Sequence, residues 1–166
     1  MTDSSVPLKF LADPGHFLAL GCGSGLGKPA PGTWGSLLAL LLWWVLFSDA
    51  GLLIFLVAIF VATGFGVWAC GRTAKALGTE DHSAIVWDEF VGLWIACFAL
   101  PGGWVWAAVA FALFRLFDIW KPWPVGWCDR NVKGGWGIML DDVVAGLLAL
   151  ATVQLAAWIL YAAGTI

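Results

Sequence analysis

Charge is what this sequence has least of: of its 166 residues, 11% are charged, against about 25% in an ordinary soluble domain. Its 8 basic residues are outnumbered by 11 acids, for a net charge of -3, which excludes a nucleic-acid groove or a polybasic membrane anchor. Histidine is nearly absent, with 2 copies, too few for a histidine-rich metal cluster. Cys22, Cys70, Cys97 and Cys128 lie far apart without a C-x-x-C pair, so neither a disulfide framework nor a zinc ribbon is indicated. A basic leader followed by an apolar run is also missing. The first 31 residues are polar, interrupted and rich in Gly and Pro, and read as a retained segment.

Apolar residues fill the space that charge leaves. They make up 61% of the chain, with 13 Trp and a mean hydropathy of +0.91, a composition suited to a bilayer with indoles at its interfaces. Residues 51–70 and 143–163 each approach the roughly 20 apolar residues that cross a 30 Å hydrocarbon core. The runs 33–47, 85–100 and 103–117 are shorter and meet their neighbours at Ser48-Asp49-Ala50 and Pro101-Gly102. All are apolar around their circumference, as lipid-facing helices are. The expectation is one all-α domain over residues 1–166, a polytopic bundle of about five membrane-embedded helices behind a Gly/Pro-rich cytoplasmic amino-terminal segment. A re-entrant rather than spanning 33–47 is the alternative.

Basic residues near span ends mark the cytoplasmic side. If all five runs cross, Lys9, Lys28, Arg72, Lys75, Arg115, Lys121, Arg130 and Lys133 fall on one side, with both histidines and every acid except Asp49. The polar chemistry is therefore expected on the cytoplasmic face.

Three constellations carry that chemistry. The first, Gly21-Cys22-Gly23-Ser24-Gly25 followed by Pro31-Gly32-Thr33, offers main-chain donors and a helix start that could cradle a phosphate. Taken alone it reads more readily as a loop with Thr33 as a cap, since its spacing fits neither the P-loop nor the dinucleotide fingerprint. The second is acidic: Asp88-Glu89, Asp118 and Asp141-Asp142, expected at one membrane depth. Each carboxylate in a span costs on the order of 2.5–3.5 kcal/mol at helix centre, so such residues mark function more often than structure. Individually they could cap helices, and Asp118 could pair with Arg115; jointly they indicate a metal or proton site. An all-oxygen donor set suits Mg²⁺ or Mn²⁺ rather than zinc, and adjacent acids diverge by about 100° on a helix, so ligands should come from different helices. The third runs from Phe114-Arg115 through Asp118 and Lys121-Pro122 to Arg130. Arg115, Lys121 and Arg130 can meet a phosphorylated headgroup, whereas Lys133 is read as a topology residue. Trp120, Trp123, Trp127 and Trp136 read as interfacial anchors. His82 could donate a proton to a leaving group, contact phosphate, or only cap its loop, and His16 reads as structural.

Taken together, Gly23-Ser24-Gly25, Pro31-Gly32-Thr33, Ile85-Val86-Trp87-Asp88-Glu89, Phe114-Arg115, Asp118, Lys121-Pro122 and Gly134-Gly135-Trp136-Gly137-Ile138-Met139-Leu140-Asp141-Asp142 resemble the bacterial phosphatidylglycerophosphatase A family. That resemblance implies a Mg²⁺-dependent phosphatase of the bacterial inner membrane, converting phosphatidylglycerophosphate in the cytoplasmic leaflet to phosphatidylglycerol. On this basis Asp88, Asp118, Asp142 and His82 are the expected catalytic residues. Asp88, Glu89, Asp118, Asp141 and Asp142 are the expected metal ligands. Arg115, Lys121 and Arg130 should orient the phosphate, assisted by main-chain donors near Ser24, Gly25 and Thr33.

Other phosphatase chemistries lack their residues. Six positions after the cysteines stand Lys28, Ala76, Gly103 and Gly134, never Arg, and the chain has no Asp-x-Asp. Water activated by a metal, or a lone carboxylate, remains as nucleophile, with water preferred. The competing class is a small ion- or proton-coupled transporter using the same carboxylates, although the opposite face offers little polar access beyond Asp49. The expected partners are the lipid substrate and the membrane, with no nucleic acid.

Overall fold

The computed structural model describes residues 6–164, and its described regular elements are all helical. Asp13 opens the first α-helix, α1 (Pro14–Ala19), by accepting the Gly15 and His16 N–H groups at 2.9 and 3.1 Å. The same carboxylate holds Arg72 through two 2.7 Å bonds, and that guanidinium keeps it well below the usual carboxylate range. His16 Nδ1 lies 2.8 Å from Thr73 Oγ1. Because Thr73 donates to the Ala69 carbonyl at 2.7 Å, the ring is the donor here. Burial, helped by Arg72, pushes His16 below the usual histidine range, in keeping with this neutral structural role.

Five apolar helices form the body: α2 (Pro31–Leu46), α3 (Leu52–Leu77), α4 (Trp87–Ala96), α5 (Trp104–Trp120) and, after the short α6 (Val125–Asn131), α7 (Gly134–Ala162). Their boundaries follow local chemistry. Pro31 sits at the start of α2, where its missing N–H costs nothing. Gly78 closes α3 in the left-handed conformation, φ 73°. Helices α3 and α7, with 26 and 29 residues, are long and apolar enough to cross a membrane. Leu53, Ile54, Phe60 and Val61 of α3 lie exposed, an apolar surface that fits lipid and not water.

The helices alternate in direction. Trp94 Nε1 donates to the Ala39 carbonyl at 3.0 Å, while Val86 lies against Gly35, so α2 and α4 run parallel. Gly66 meets Met139 and Gly71 meets Gly135, so α3 and α7 are antiparallel. Arg115, near the end of α5, reaches Ser36, near the start of α2. One end of the bundle therefore collects the beginnings of α2, α4 and α7 and the endings of α3 and α5.

Two elements depart from expectation. The 85–100 run forms only a 10-residue helix, and every residue from Phe90 to Ala96 is buried. Protein surrounds α4 rather than lipid. At about 15 Å it covers roughly half a hydrocarbon core, and Gln154 of α7 donates to the freed Ala99 carbonyl beyond its end at 2.8 Å. The last helix begins at Gly134, not 143, so Asp141 and Asp142 lie two turns inside it and cap nothing. Its glycines serve close packing: a side chain at Gly135 would overlap the Val67 carbonyl.

Candidate functional site

The converging helix ends enclose a cavity of about 280 Å³. Asp88 and Glu89 enter it from the first turn of α4, Asp118 from the last turn of α5 and Asp141 and Asp142 from α7, so all five acids line one space with Arg115, Lys121 and His82. Trp87 fixes the start of α4: its Nε1 donates to the Ala62 carbonyl at 3.0 Å, and its ring stacks on Phe90 at 5.4 Å.

Within the cavity the acids divide into two groups. Asp88, Glu89 and Asp142 each offer a carboxylate oxygen, all within 4.8 Å of one another. The other two acids are matched to cations. Asp118 Oδ2 accepts from Arg115 Nη1 at 2.6 Å, and Asp141 Oδ2 accepts from Lys121 Nζ at 2.8 Å. The neighbours Asp141 and Asp142 thus diverge, one to a lysine and the other to the carboxylate group, as their angular separation requires. Lys121 also donates to Asp129 at 2.5 Å. Burial opposes its charge, but the two carboxylates outweigh burial and hold the ammonium above the ordinary lysine range.

A further link ties Arg115 to the acids. Its Nη1 lies 3.8 Å from Glu89 Oε1 and 3.4 Å from Ser36 Oγ, while Ser36 donates to the Gly32 carbonyl at 2.8 Å. A side chain at Gly32 would collide with the Glu89 carboxylate, which explains a glycine in the first turn of α2. Among the described residues, Glu89 Oε2 and Arg115 Nε are buried without a hydrogen-bond partner. An unpaired carboxylate oxygen beside two further carboxylates is costly in a low-dielectric interior. Three clustered oxygen donors with one unsatisfied fit a hard divalent cation such as Mg²⁺.

His82 is buried at the cavity wall, and its Nδ1 accepts the Ala84 N–H at 3.1 Å. That contact makes Nε2 the ring nitrogen placed to donate. Arg130 lies in an adjoining cavity of about 610 Å³, which shares Asp81, Asp88 and Asp141 with the first. Ser24, Gly25 and Thr33 do not line the acid cavity. Ser24 borders an apolar groove, Gly25 packs on the Ala84 carbonyl, and the Thr33 N–H donates to the Ala30 carbonyl at 3.0 Å. The structure adds Ser36, Asp81 and Asp129. Asp81 keeps solvent access, yet desolvation by the surrounding protein raises its carboxyl above the ordinary range against the pull of Lys121. Its place in Glu80-Asp81-His82-Ser83 was the available signal; Ser36, inside an apolar run, gave none.

Membrane-length apolar helices around carboxylates and two matched cations define a membrane-associated protein with an acidic centre that holds two cations. Residues 17–157 match the phosphatidylglycerophosphatase A family. Phosphatidylglycerophosphatase A of Escherichia coli is 49% identical over 140 residues, 84% of this chain and 81% of its own. The protein of the same name from Haemophilus influenzae is 47% identical over 156 residues, 92% of this chain and 95% of its own. A protein of Bacteroides thetaiotaomicron, whose name proposes a phosphatidylinositol-3-phosphatase, is 41% identical over 150 residues, 86% of this chain and 93% of its own. No solved structure gives a significant match. The chain belongs to the phosphatidylglycerophosphatase A family, a family of phosphatases, which does not favour the transporter reading.

Proposed function

We propose that the chain hydrolyses the terminal phosphomonoester of phosphatidylglycerophosphate in the acid cavity, releasing phosphatidylglycerol and inorganic phosphate. The observation that carries this reading is the gathering of five acids, Arg115 and Lys121 around one cavity, together with the family. Asp88, Glu89 and Asp142 would hold Mg²⁺. When bound, it offsets phosphate charge and polarises the phosphorus toward attack. Asp118 and Asp141 act instead on the cations, fixing where Arg115 and Lys121 present their donors.

A phosphomonoester carries about -1.5 to -2 charges near neutral pH, and bare carboxylates would repel it. Arg115 and Lys121 supply the compensating charge, with the Arg115 plane set by Asp118 and Ser36. His82 contributes a ring donor at Nε2, because its Nδ1 is already an acceptor. Arg130, in the adjoining cavity, attracts the incoming headgroup. Water attacks phosphorus, the bond from phosphorus to the glycerol oxygen breaks, and that oxygen takes up a proton.

Purified protein in detergent should release phosphate from phosphatidylglycerophosphate with Mg²⁺ and lose that release in excess EDTA. Phosphatidylinositol 3-phosphate is the comparison substrate. A higher rate on it would move the substrate assignment to the inositol lipid, and phosphate release unaffected by EDTA would remove the metal.

The site faces the cytoplasm of a bacterial inner membrane, as the clustering of basic residues at the site end supports, and the chain crosses at each of the five apolar runs, with α4 covering only part of its run as helix. In a Cys22→Ser background, a cysteine replacing exposed Lys133 should resist an impermeant maleimide in intact spheroplasts and react after permeabilisation. Labelling from outside would invert the orientation.

A further inference from the structure

The glycine-rich segment at 21–27 is the motif that the acid cavity leaves unused, and several of its donors are already engaged. Gly23 and Gly25 N–H donate to the Leu20 carbonyl at 3.0 and 3.1 Å, Gly27 N–H to the Ser24 carbonyl at 2.9 Å, and the Ser24 hydroxyl to the Gly21 carbonyl at 2.7 Å. A phosphate would find these groups taken. The segment instead forms one wall of an apolar groove of about 430 Å³, whose other wall is Trp34, Leu37, Leu38 and Leu41 of α2.

We propose that this groove seats an acyl chain of the lipid substrate. The inference rests on the lipid phosphatase reading above and names where the apolar part of that substrate lies. Trp34, Leu37, Leu38 and Leu41 follow helical spacing and form one stripe. Extended backward by three or four residues, the stripe reaches Ala30 and Pro31, which line the acid cavity. At its Pro31 end the stripe borders the acid cavity, while Gly32 and Ser36 on the other side of α2 face Glu89 and Arg115, so the start of this one helix separates the phosphate site from the groove. From Pro31 to Leu41 the stripe covers about 15 Å, half of a roughly 30 Å hydrocarbon core and hence the depth of one leaflet.

The groove is shaped rather than merely greasy. A side chain at Gly27 would meet Trp34 Cδ1 at 2.5 Å, so glycine lets the loop lie directly on the indole and hold it as the groove's edge. Gly21 and Gly25 press the same loop onto Val86 and the Ala84 carbonyl, tying its position to the segment that leads into Asp88 and Glu89. The glycines that resembled a phosphate cradle thereby place an apolar wall beside the polar site.

The test compares dioleoyl with dihexanoyl phosphatidylglycerophosphate in one detergent, using wild type, Leu37→Trp, Leu41→Trp and the control Val45→Trp. All three positions are exposed, and the dihexanoyl rate reports folding and the chemical step. Filling the groove should lower kcat/KM for the dioleoyl lipid about tenfold, the loss of roughly two buried methylenes, while the dihexanoyl value stays within about twofold. Val45→Trp should change neither. Equal loss on both lipids, an equal effect at Val45, or no loss at Leu37 and Leu41 would overturn the groove while leaving the phosphatase reading intact. Wild type inactive on both lipids would overturn that reading, and the groove with it.

Discussion

Asp88→Asn and Asp142→Asn should each abolish phosphate release, by at least about a hundredfold, beyond the 10–100-fold typical of residues that only support a metal's ligands. Each removes a charge from the three-carboxylate group on α4 and α7 while nearly preserving volume. Neither should unfold the protein. Both residues are held by packing between α4 and α7, where Gly92 approaches the Asp142 carbonyl and Gly146 the Gly92 carbonyl; the backbones, not the carboxylates, make that contact. Removing one of several crowded like charges also relieves repulsion. The expected signature is thus lost turnover with unchanged or raised thermal stability in the absence of Mg²⁺, and a smaller stabilisation by added Mg²⁺ than wild type shows. Asp118→Asn should also inactivate, but through Arg115, and should keep the wild-type stabilisation by Mg²⁺. Near-wild-type turnover in all three variants would remove the carboxylate site.

The acids were legible in the sequence because charge is scarce: a carboxylate in an apolar run is expensive enough that five of them stand out without any motif. Their division was not legible. Nothing in Asp88-Glu89 says that both carboxylates join one group, whereas Asp141 and Asp142 separate; that depends on α7 beginning at Gly134 and on Lys121 standing beside Asp141. The start of α7 was hidden by Gly134-Gly135-Trp136-Gly137, whose low helix propensity is overridden by packing on α3. The burial of α4 was equally hidden, since a segment apolar on every side reads the same whether lipid or protein surrounds it. Glycine leaves the segment at Ser24 and Gly25, which does not line the acid cavity, equally ambiguous in sequence: a chain that lacks a side chain in order to approach an anion looks identical to one that lacks it in order to lie on Ala84 and Trp34.

Arg115→Lys should lower turnover by about tenfold or more although the charge is kept, and this outcome tests positioning rather than electrostatics. Arg115 Nη1 spans Asp118, Ser36 and the neighbourhood of Glu89 at 2.6, 3.4 and 3.8 Å, so one planar group links α5 to the starts of α2 and α4. Lysine has a single nitrogen on a flexible stem. If it takes the place of Nη1 beside Asp118, no further nitrogen remains to meet the phosphate, as the rest of the guanidinium fork can; if it turns inward, Asp118 is left partly buried and unpaired. Either arrangement displaces the charge that the phosphate is to meet, and a misplacement of about 1 Å can cost a hundredfold. The loss should appear in kcat more than in KM, because approach of the anionic headgroup still benefits from Lys121 and Arg130. Lys133→Ala is the control: this exposed lysine pairs with Glu80 at 3.1 Å and borders only the adjoining cavity, not the acid cavity, so its removal should leave kcat within about twofold. Equal losses in Arg115→Lys and Lys133→Ala would reduce Arg115 to one contributor among many to the local positive charge.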